Sequence, residues 1–155
     1  VTALSFVTTS ERPDLTTVTG AWRWKAFFSE SGMSLDDMMA RERAAAADPA
    51  LLPTVFVLLD AGDPVGMVAL CDDDLEDRPD LNPWLAGLYV APVHRGKGHA
   101  RTLIARIEAV AAEAGIKRLS LYTASAVDLY RSAGWATLET FDRDGAKFHI
   151  MQKYL

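Results

Sequence analysis

Cysteine is almost missing from this chain. Cys71 is the only one, so no disulfide can form within it and stability must come from a packed core. As a small hydrophobe in a strand, that cysteine needs no function. Long apolar runs are missing as well. The longest, near Thr54 to Leu59, is far short of the ~20 residues that a membrane-spanning helix requires, so no membrane partner is expected. The first residues show no charged leader followed by an apolar core, and no secretory signal is expected. With the scarcity of cysteine, this fits a reducing, cytoplasmic compartment. Internal repeats and low-complexity linkers are absent, and 155 residues suit a single domain, 1–155, that buries about two thirds of its unfolded surface. Basic residues form no stripe along a helix and the formal net charge is −5, which argues against a nucleic-acid partner. No metal site is expected.

What is present is unevenly distributed. Residues 1–80 carry 15 acidic and 6 basic side chains, net −9, whereas residues 81–155 carry 6 acidic and 10 basic, net +4. Such a division suits an anionic ligand in the second half and a cationic one nearer the first, although chance placement of solvated charges accounts for it equally well. The first half predicts a strand over residues 3–8, a turn at Glu11 to Asp14, and a helix over 15–28 with Leu15, Val18, Trp22 and Ala26 on one face. A break at Gly32 follows, then a second helix opened by Ser34 and Asp37, carrying Leu35, Met38, Met39 and an alanine run. Residues 54–59 and 65–71 read as a hairpin around Gly62. The run Asp72 to Asp80 reads as an acidic loop that faces water.

The second half alternates more tightly. It predicts a strand over 84–90 and a helix over 99–114 with Leu103, Ile107, Val110, Ala111 and Ala114 inward, stopped by Gly115. A strand over 119–123 comes next, then a short helix over 127–133, opened by Ser125 with Asp128 and ended by Gly134. Two antiparallel strands, 136–141 and 147–154, close the chain. Hairpins combined with one strand–helix–strand unit predict a mixed sheet with a parallel pair near its middle.

Leu88 to Arg101 is where chemistry is expected. A strand ends at Pro92, passes through Arg95-Gly96-Lys97-Gly98 and opens into a helix at His99. Unpaired N–H groups and the helix dipole make that an anion site, and the two glycines let a ligand approach the backbone. A P-loop would need Ser or Thr after Lys97, where Gly98 stands. A dinucleotide fingerprint would need a third glycine at Arg101 and an acidic residue ending the next strand, which closes on Tyr122-Thr123. Neither pattern fits.

Arg95-Gly96-Lys97-Gly98-His99-Ala100 has the spacing Gln/Arg-x-x-Gly-x-Gly/Ala of the GCN5-related N-acetyltransferase (GNAT) superfamily. Leu88-Tyr89-Val90 with Pro92 resembles that family's fourth strand, and Ala126-x-x-Leu129-Tyr130-x-x-x-Gly134-Trp135 resembles its later Ala-x-x-Leu/Phe-Tyr-x-x-x-Gly-Phe segment. The matches cover residues 84–136 in the family's order. The resemblance implies a mixed, mostly antiparallel sheet of six to seven strands, flanked by about four helices, with strands four and five parallel and splayed. It implies acetyl-CoA as co-substrate, its pyrophosphate on the backbone of Gly96, Lys97, Gly98, His99, Ala100 and Arg101. Charge from Arg95, Lys97 and Arg101 would surround the phosphates, and the pantetheine would lie along Leu88, Tyr89 and Val90.

By the same resemblance, Tyr130 is the general acid for the departing thiolate and the Val90 N–H meets the oxyanion, in a direct attack by a primary amine within a ternary complex. Thr123 stands where many members carry Asn; its hydroxyl can still bond the pantetheine, without the amide's paired donor and acceptor. The base stays open. Leu85, Ala86, Gly87 and Tyr89 of the fourth strand offer no carboxylate, which leaves the acidic loop, His149 or water. The acceptor is a small-molecule or peptide amine; the acidic loop would suit a cationic one. A non-catalytic acyl-CoA-binding or sensor domain is the alternative. Dimers are common in the family, and nothing in this sequence speaks for or against one.

Overall fold

The computed structural model describes residues 3–50 and 52–155. Seven strands form one sheet in the order β1-β2-β3-β4-β5-β7-β6. They are β1 (Leu4–Thr8), β2 (Thr54–Asp60), β3 (Asp63–Cys71), β4 (Trp84–Val90), β5 (Arg118–Thr123), β6 (Ala136–Arg143) and β7 (Ala146–Tyr154). Four helices accompany them: α1 (Thr16–Arg23), α2 (Leu35–Ala47), α3 (His99–Glu113) and α4 (Val127–Ser132). Every neighbouring pair is antiparallel except β4 and β5, which are parallel. The expected mixed sheet with a parallel pair near its middle is therefore present. No helix among the described residues is long and apolar enough to cross a membrane.

Strand alternation divides the core between the two faces of the sheet. Phe56, Leu58, Val68, Leu70, Leu85, Leu119, Leu121 and Met151 meet Leu103, Ile104, Ile107 and Ala111 of α3, with Tyr130 and Trp135 closing the cluster. On the other face Val55, Met67 and Ala69 pack with Trp22 and Tyr89, and Val57 and Leu59 with Leu15. The tight turns sit where small or polar residues tolerate the left-handed region: Ala61-Gly62 joins β2 to β3 and Asp144-Gly145 joins β6 to β7, all four at positive φ.

The first helix departs from expectation. Leu15 is buried and Trp22 packs on the sheet as expected, but after Arg23 the chain widens into a π-helical turn, Trp24–Phe28, Ala26 is exposed, and the buried residues within α1 are Thr16, Thr19 and Gly20. Small residues are needed because α2 lies close: a Cβ on Gly20 would stand 2.6 Å from the Met39 sulfur. In α2 the expected cap forms, Asp37 N–H donating to Ser34 Oγ at 3.1 Å, but the buried positions are Met38, Glu42 and Ala46, while Leu35 is exposed. In α3, Ile104 is buried and Ala114 is exposed beyond the helix end. The acidic run does not simply face water. Leu75 is buried with Leu81, Trp84 and Ile150, a 3₁₀ turn forms at Pro79–Leu81, and Arg78 ties the loop to Glu139 of β6. Leu75 inside the run and Leu81 just after it supply apolar anchorage that the charge conceals.

Burial of Glu42 has a clear cause. Arg23 Nε donates to its Oε1 at 2.5 Å and Thr19 Oγ1 to its Oε2 at 2.7 Å, with the two charged side chains 12% and 6% exposed. Removing one member strands the other in a poorly solvated site. Glu42→Ala should cost about 3 kcal/mol in urea unfolding, and an Arg23→Met/Glu42→Leu pair should recover most of it; equal losses in the single and double variants would show that the pair contributes only packing.

Candidate active site

The joint between β4 and β5 is a single bridge, Trp84 opposite Ser120. Beyond it the strands part. The cause lies in β4, which pairs Ala86 with Ala69 and Tyr89 with Met67, so that Gly87 and Leu88 together oppose Val68. This extra residue resets the alternation: Leu88 and Val90 pack with the α3 face, while Tyr89 packs on the α1 face against Trp22, ring centroids 5.4 Å apart. Gly87 adopts φ 61°, and a side chain there would collide with the Arg23 guanidinium. Only glycine satisfies both demands.

Ala91 N–H donates to Val65 O of β3 at 2.9 Å. By alternation, the backbone groups of Leu88 and Val90 then turn the other way, toward the gap that β5 has left. Arg95 takes one of them: its Nε donates to Val90 O at 2.8 Å, and its guanidinium lies 5.4 Å from the Tyr89 ring centroid. The arginine thus braces the strand end as well as carrying charge.

Past the 3₁₀ turn Pro92–His94, Gly96 (φ 80°) and Gly98 (φ 82°) swing the backbone so that α3 begins with its amides exposed. No side chain or backbone fills the space where a Cβ would stand at either glycine. A cavity of about 370 Å³ lies here, lined by Leu88, Tyr89, Val90, Arg95, Gly96, Gly98, His99, Ala100, Arg101, Ala126 and Leu129. Nine of these were expected. Ala126 and Leu129 were in the matched motif without a role; α4 brings them to the cavity wall. Arg101 ties the two helices across it, donating to Ser132 Oγ at 2.6 Å.

Three expected residues stand apart from this lining. Lys97 is exposed on the loop. Thr123 Oγ1 accepts from Ala126 N–H at 3.2 Å, bracing the turn that leads into α4; the expected cap from Ser125 does not form, and Ala126 stands at the N-cap without a side-chain cap. Tyr130 is 5% exposed beneath the α4 wall, its ring edge-on to Trp135 at 5.9 Å. Burial raises the phenol's pKa, and no hydrogen bond of its hydroxyl is found among the described residues. His149 Nδ1 lies 3.2 Å from Thr137 Oγ1.

A parted strand pair beside a loop with exposed amides and a cavity of this size offers room for an extended, phosphate-bearing coenzyme. The open backbone of Leu88 and Val90, the unfilled space at Gly96 and Gly98 and the two arginines fit acetyl-CoA. Residues 19–135 match the model of the acetyltransferase (GNAT) family, and the chain belongs to that family, an acetyltransferase with acetyl-CoA as co-substrate. Solved structures share the fold throughout. A ribosomal-protein-alanine N-acetyltransferase from Brucella melitensis superposes with TM-score 0.70 at 23% identity, covering 99% of both chains. A Salmonella typhimurium protein classed as an acetyltransferase and solved with its cofactor acetyl-CoA gives 0.71 at 20%, covering 99% of this chain and 94% of that one. An N-acetyltransferase from Staphylococcus aureus gives 0.75 at 13%, covering 98% of each. No curated protein matches in sequence.

His99 contributes a cost of its own. It is 4% exposed, and neither ring nitrogen finds a partner among the described residues. An orphaned buried polar group costs about 1–3 kcal/mol, and an apolar replacement removes that penalty. His99→Leu should therefore raise the unfolding free energy by about 1 kcal/mol, read from the urea midpoint; a fall would mean that the imidazole is satisfied in solution.

Proposed function

We propose that this protein transfers the acetyl group of acetyl-CoA to a primary amine, by direct attack within a ternary complex. The observation that carries this reading is the parting of β4 from β5 beyond Trp84–Ser120, beside a cavity that joins Leu88 and Val90 to the glycine loop. In this role the amides from Gly96 to Arg101 hold the pyrophosphate, with Arg95, Lys97 and Arg101 adding charge. Leu88, Tyr89 and Val90 act as a ledge, and the Val90 N–H meets the carbonyl oxygen as charge develops on it. Thr123 holds the start of α4 close to the arm. When bound, acetyl-CoA supplies an activated acyl group and a thiolate leaving group.

Tyr130 is the proton donor to the departing sulfur. Burial suits it to that task, because a phenol with a raised pKa stays protonated throughout the neutral range. Its place in an apolar cluster beneath the cavity wall is also what a non-catalytic acyl-CoA sensor would show, and turnover separates the two. Cys71 is unsuited to an acetyl-enzyme route: burial foremost, with Asp74 adding to it, pushes the thiol up to about 12.

Acetyl-CoA incubated with a panel of primary amines should release free thiol only in the presence of protein and an accepted amine. Tyr130→Phe should lower kcat about 100-fold and leave the calorimetric Kd for acetyl-CoA within about twofold. Full turnover in that variant would remove Tyr130 from the chemistry; tight acetyl-CoA binding with no thiol release from any amine would favour the sensor.

A further inference from the structure

The face of the sheet that carries α1 and α2 gathers a second set of reactive side chains where the gap opens. Tyr122 stands on β5 beyond the last bridge, its ring 6.2 Å from Trp84, 6.0 Å from Phe141 and 5.9 Å from Phe148. From α1, Arg23 reaches the bulge at Gly87 while paired with Glu42. Asp74 lies close enough to Cys71, Arg23 and Tyr122 for its charge to act on or feel each of them.

Asp74 differs from the rest of its loop. Asp72, Asp73, Glu76 and Asp77 are exposed, and Asp80 is held by two hydrogen bonds from Arg78 at 3.1 Å. Asp74 is half-buried, because its neighbour Leu75 is anchored beneath it with Leu81, Trp84 and Ile150. No hydrogen bond or ion pair of its carboxylate is found among the described residues. A carboxylate drawn out of water without a partner is destabilising, and such groups concentrate where a ligand supplies the partner.

We propose that Asp74 is the acceptor-side base: it receives the ammonium of a primary amine with an apolar body and takes its proton. The proposal rests on the acetyl-transfer reading above. β4 cannot supply this group, since Leu85, Ala86, Gly87 and Tyr89 carry no carboxylate. The half-buried rings of Tyr122, Phe141 and Phe148 give the amine's body an apolar wall, and Arg143 of β6 lies over Tyr122 and Phe141 at 5.9 and 5.2 Å. The charged and titratable groups facing Asp74 are Arg23 of α1 with its partner Glu42 of α2, Cys71 of β3, Asp73 of its own loop and Tyr122 of β5. Burial raises the Asp74 carboxyl to about 6, with Arg23 opposing and Asp73 adding. It is thus ionised at neutral pH, yet more basic than an ordinary aspartate.

The proton balance closes on residues already placed. The ammonium passes one proton to Asp74, and the nitrogen lone pair forms the C–N bond at the thioester carbonyl carbon. The C–S bond breaks with its electron pair on sulfur, which takes the phenolic proton of Tyr130; the nitrogen, cationic after attack, gives its second proton to solvent, and solvent reprotonates the Tyr130 phenolate and takes the first proton from Asp74.

The test uses 2-phenylethylamine as acceptor and thiol release as readout, from pH 5 to 9. Wild-type protein should show an acidic limb in kcat/KM near pH 6, lost activity following protonation of Asp74. Asp74→Asn should lower kcat/KM at pH 7.5 at least ~30-fold, with the Kd for acetyl-CoA unchanged, and its residual rate should lack that limb. Asp72→Asn and Asp73→Asn, which remove exposed carboxylates of the same loop, should stay within ~3-fold of wild type. Because Asn also removes an unpaired charge, Asp74→Asn should melt a few degrees higher at pH 8 than wild type, which shows that a lost rate is not lost folding. Near-wild-type turnover in Asp74→Asn, or an acidic limb that survives it, overturns the role of Asp74 while leaving acetyl transfer standing. Acetyl-CoA binding without transfer to 2-phenylethylamine, when other amines are acetylated, overturns the apolar acceptor class. Binding with no transfer to any amine overturns both readings.

Discussion

Everything in this structure turns on backbone groups that the sheet declines to pair. A buried N–H or C=O without a partner is costly, and sheets normally meet the requirement by running strands side by side. Here β4 and β5 meet at Trp84–Ser120 and then separate. The extra residue at Gly87–Leu88 turns Leu88 and Val90 toward α3 and sends their backbone groups into the gap. An extended, amide-bearing ligand is the natural complement to such an edge, in the manner of an added strand. The anion cradle at Gly96 and Gly98 lies at one end of that edge, so a single long coenzyme satisfies both features.

The N-terminal half of the chain meets β4 at its bulge. Arg23 lies against Gly87 with its charge balanced by Glu42, and Glu42 is held in turn by Thr19. The close approach of α1 to α2 over Gly20 brings that network to the bulge. The N-terminal helices are therefore more than a cover for the sheet: they place a neutralised cation against the residue at which β4 bends. They also form the face on which an acceptor would arrive, where the unpaired Asp74 and the ring of Tyr122 stand together.

How much of this was legible varied with the range of the interaction. Gly96, Gly98, Gly115 and Gly134 announce turns and helix ends because the requirement for positive φ is local. Ser34 capping through Asp37 is equally local, three residues apart. Helix faces were harder. Gly20 is buried because α2 leaves no room for a side chain there, and Thr19 because it bonds Glu42 of α2, which nothing within α1 itself announces. Leu75 in the acidic run was hidden by its neighbours' charge, and its burial depends on Trp84 and Ile150, distant in sequence. Ser125 does not cap α4: the helix starts one residue later than a Ser125 cap requires, at Val127 after Ala126, and Thr123 at the end of β5 braces the turn through the Ala126 N–H.

The amino-acid sequence by itself determined the strand–loop–helix at Leu88 to Arg101, the order of elements around it and the family, since each follows from residues close together in the chain. Tertiary structure decided the rest. Which carboxylate of nine residues of acidic loop loses its water, and which arginine is neutralised, depends on neighbours brought from α1, α2 and β5. So does the setting of the gap: Gly87 permits the bulge, and the neighbours it meets are Arg23 on one side and the α3 core on the other. A loop that binds phosphate is a local property of a chain. A cleft that admits an amine to the other end of the same ligand comes from several elements held at fixed distances.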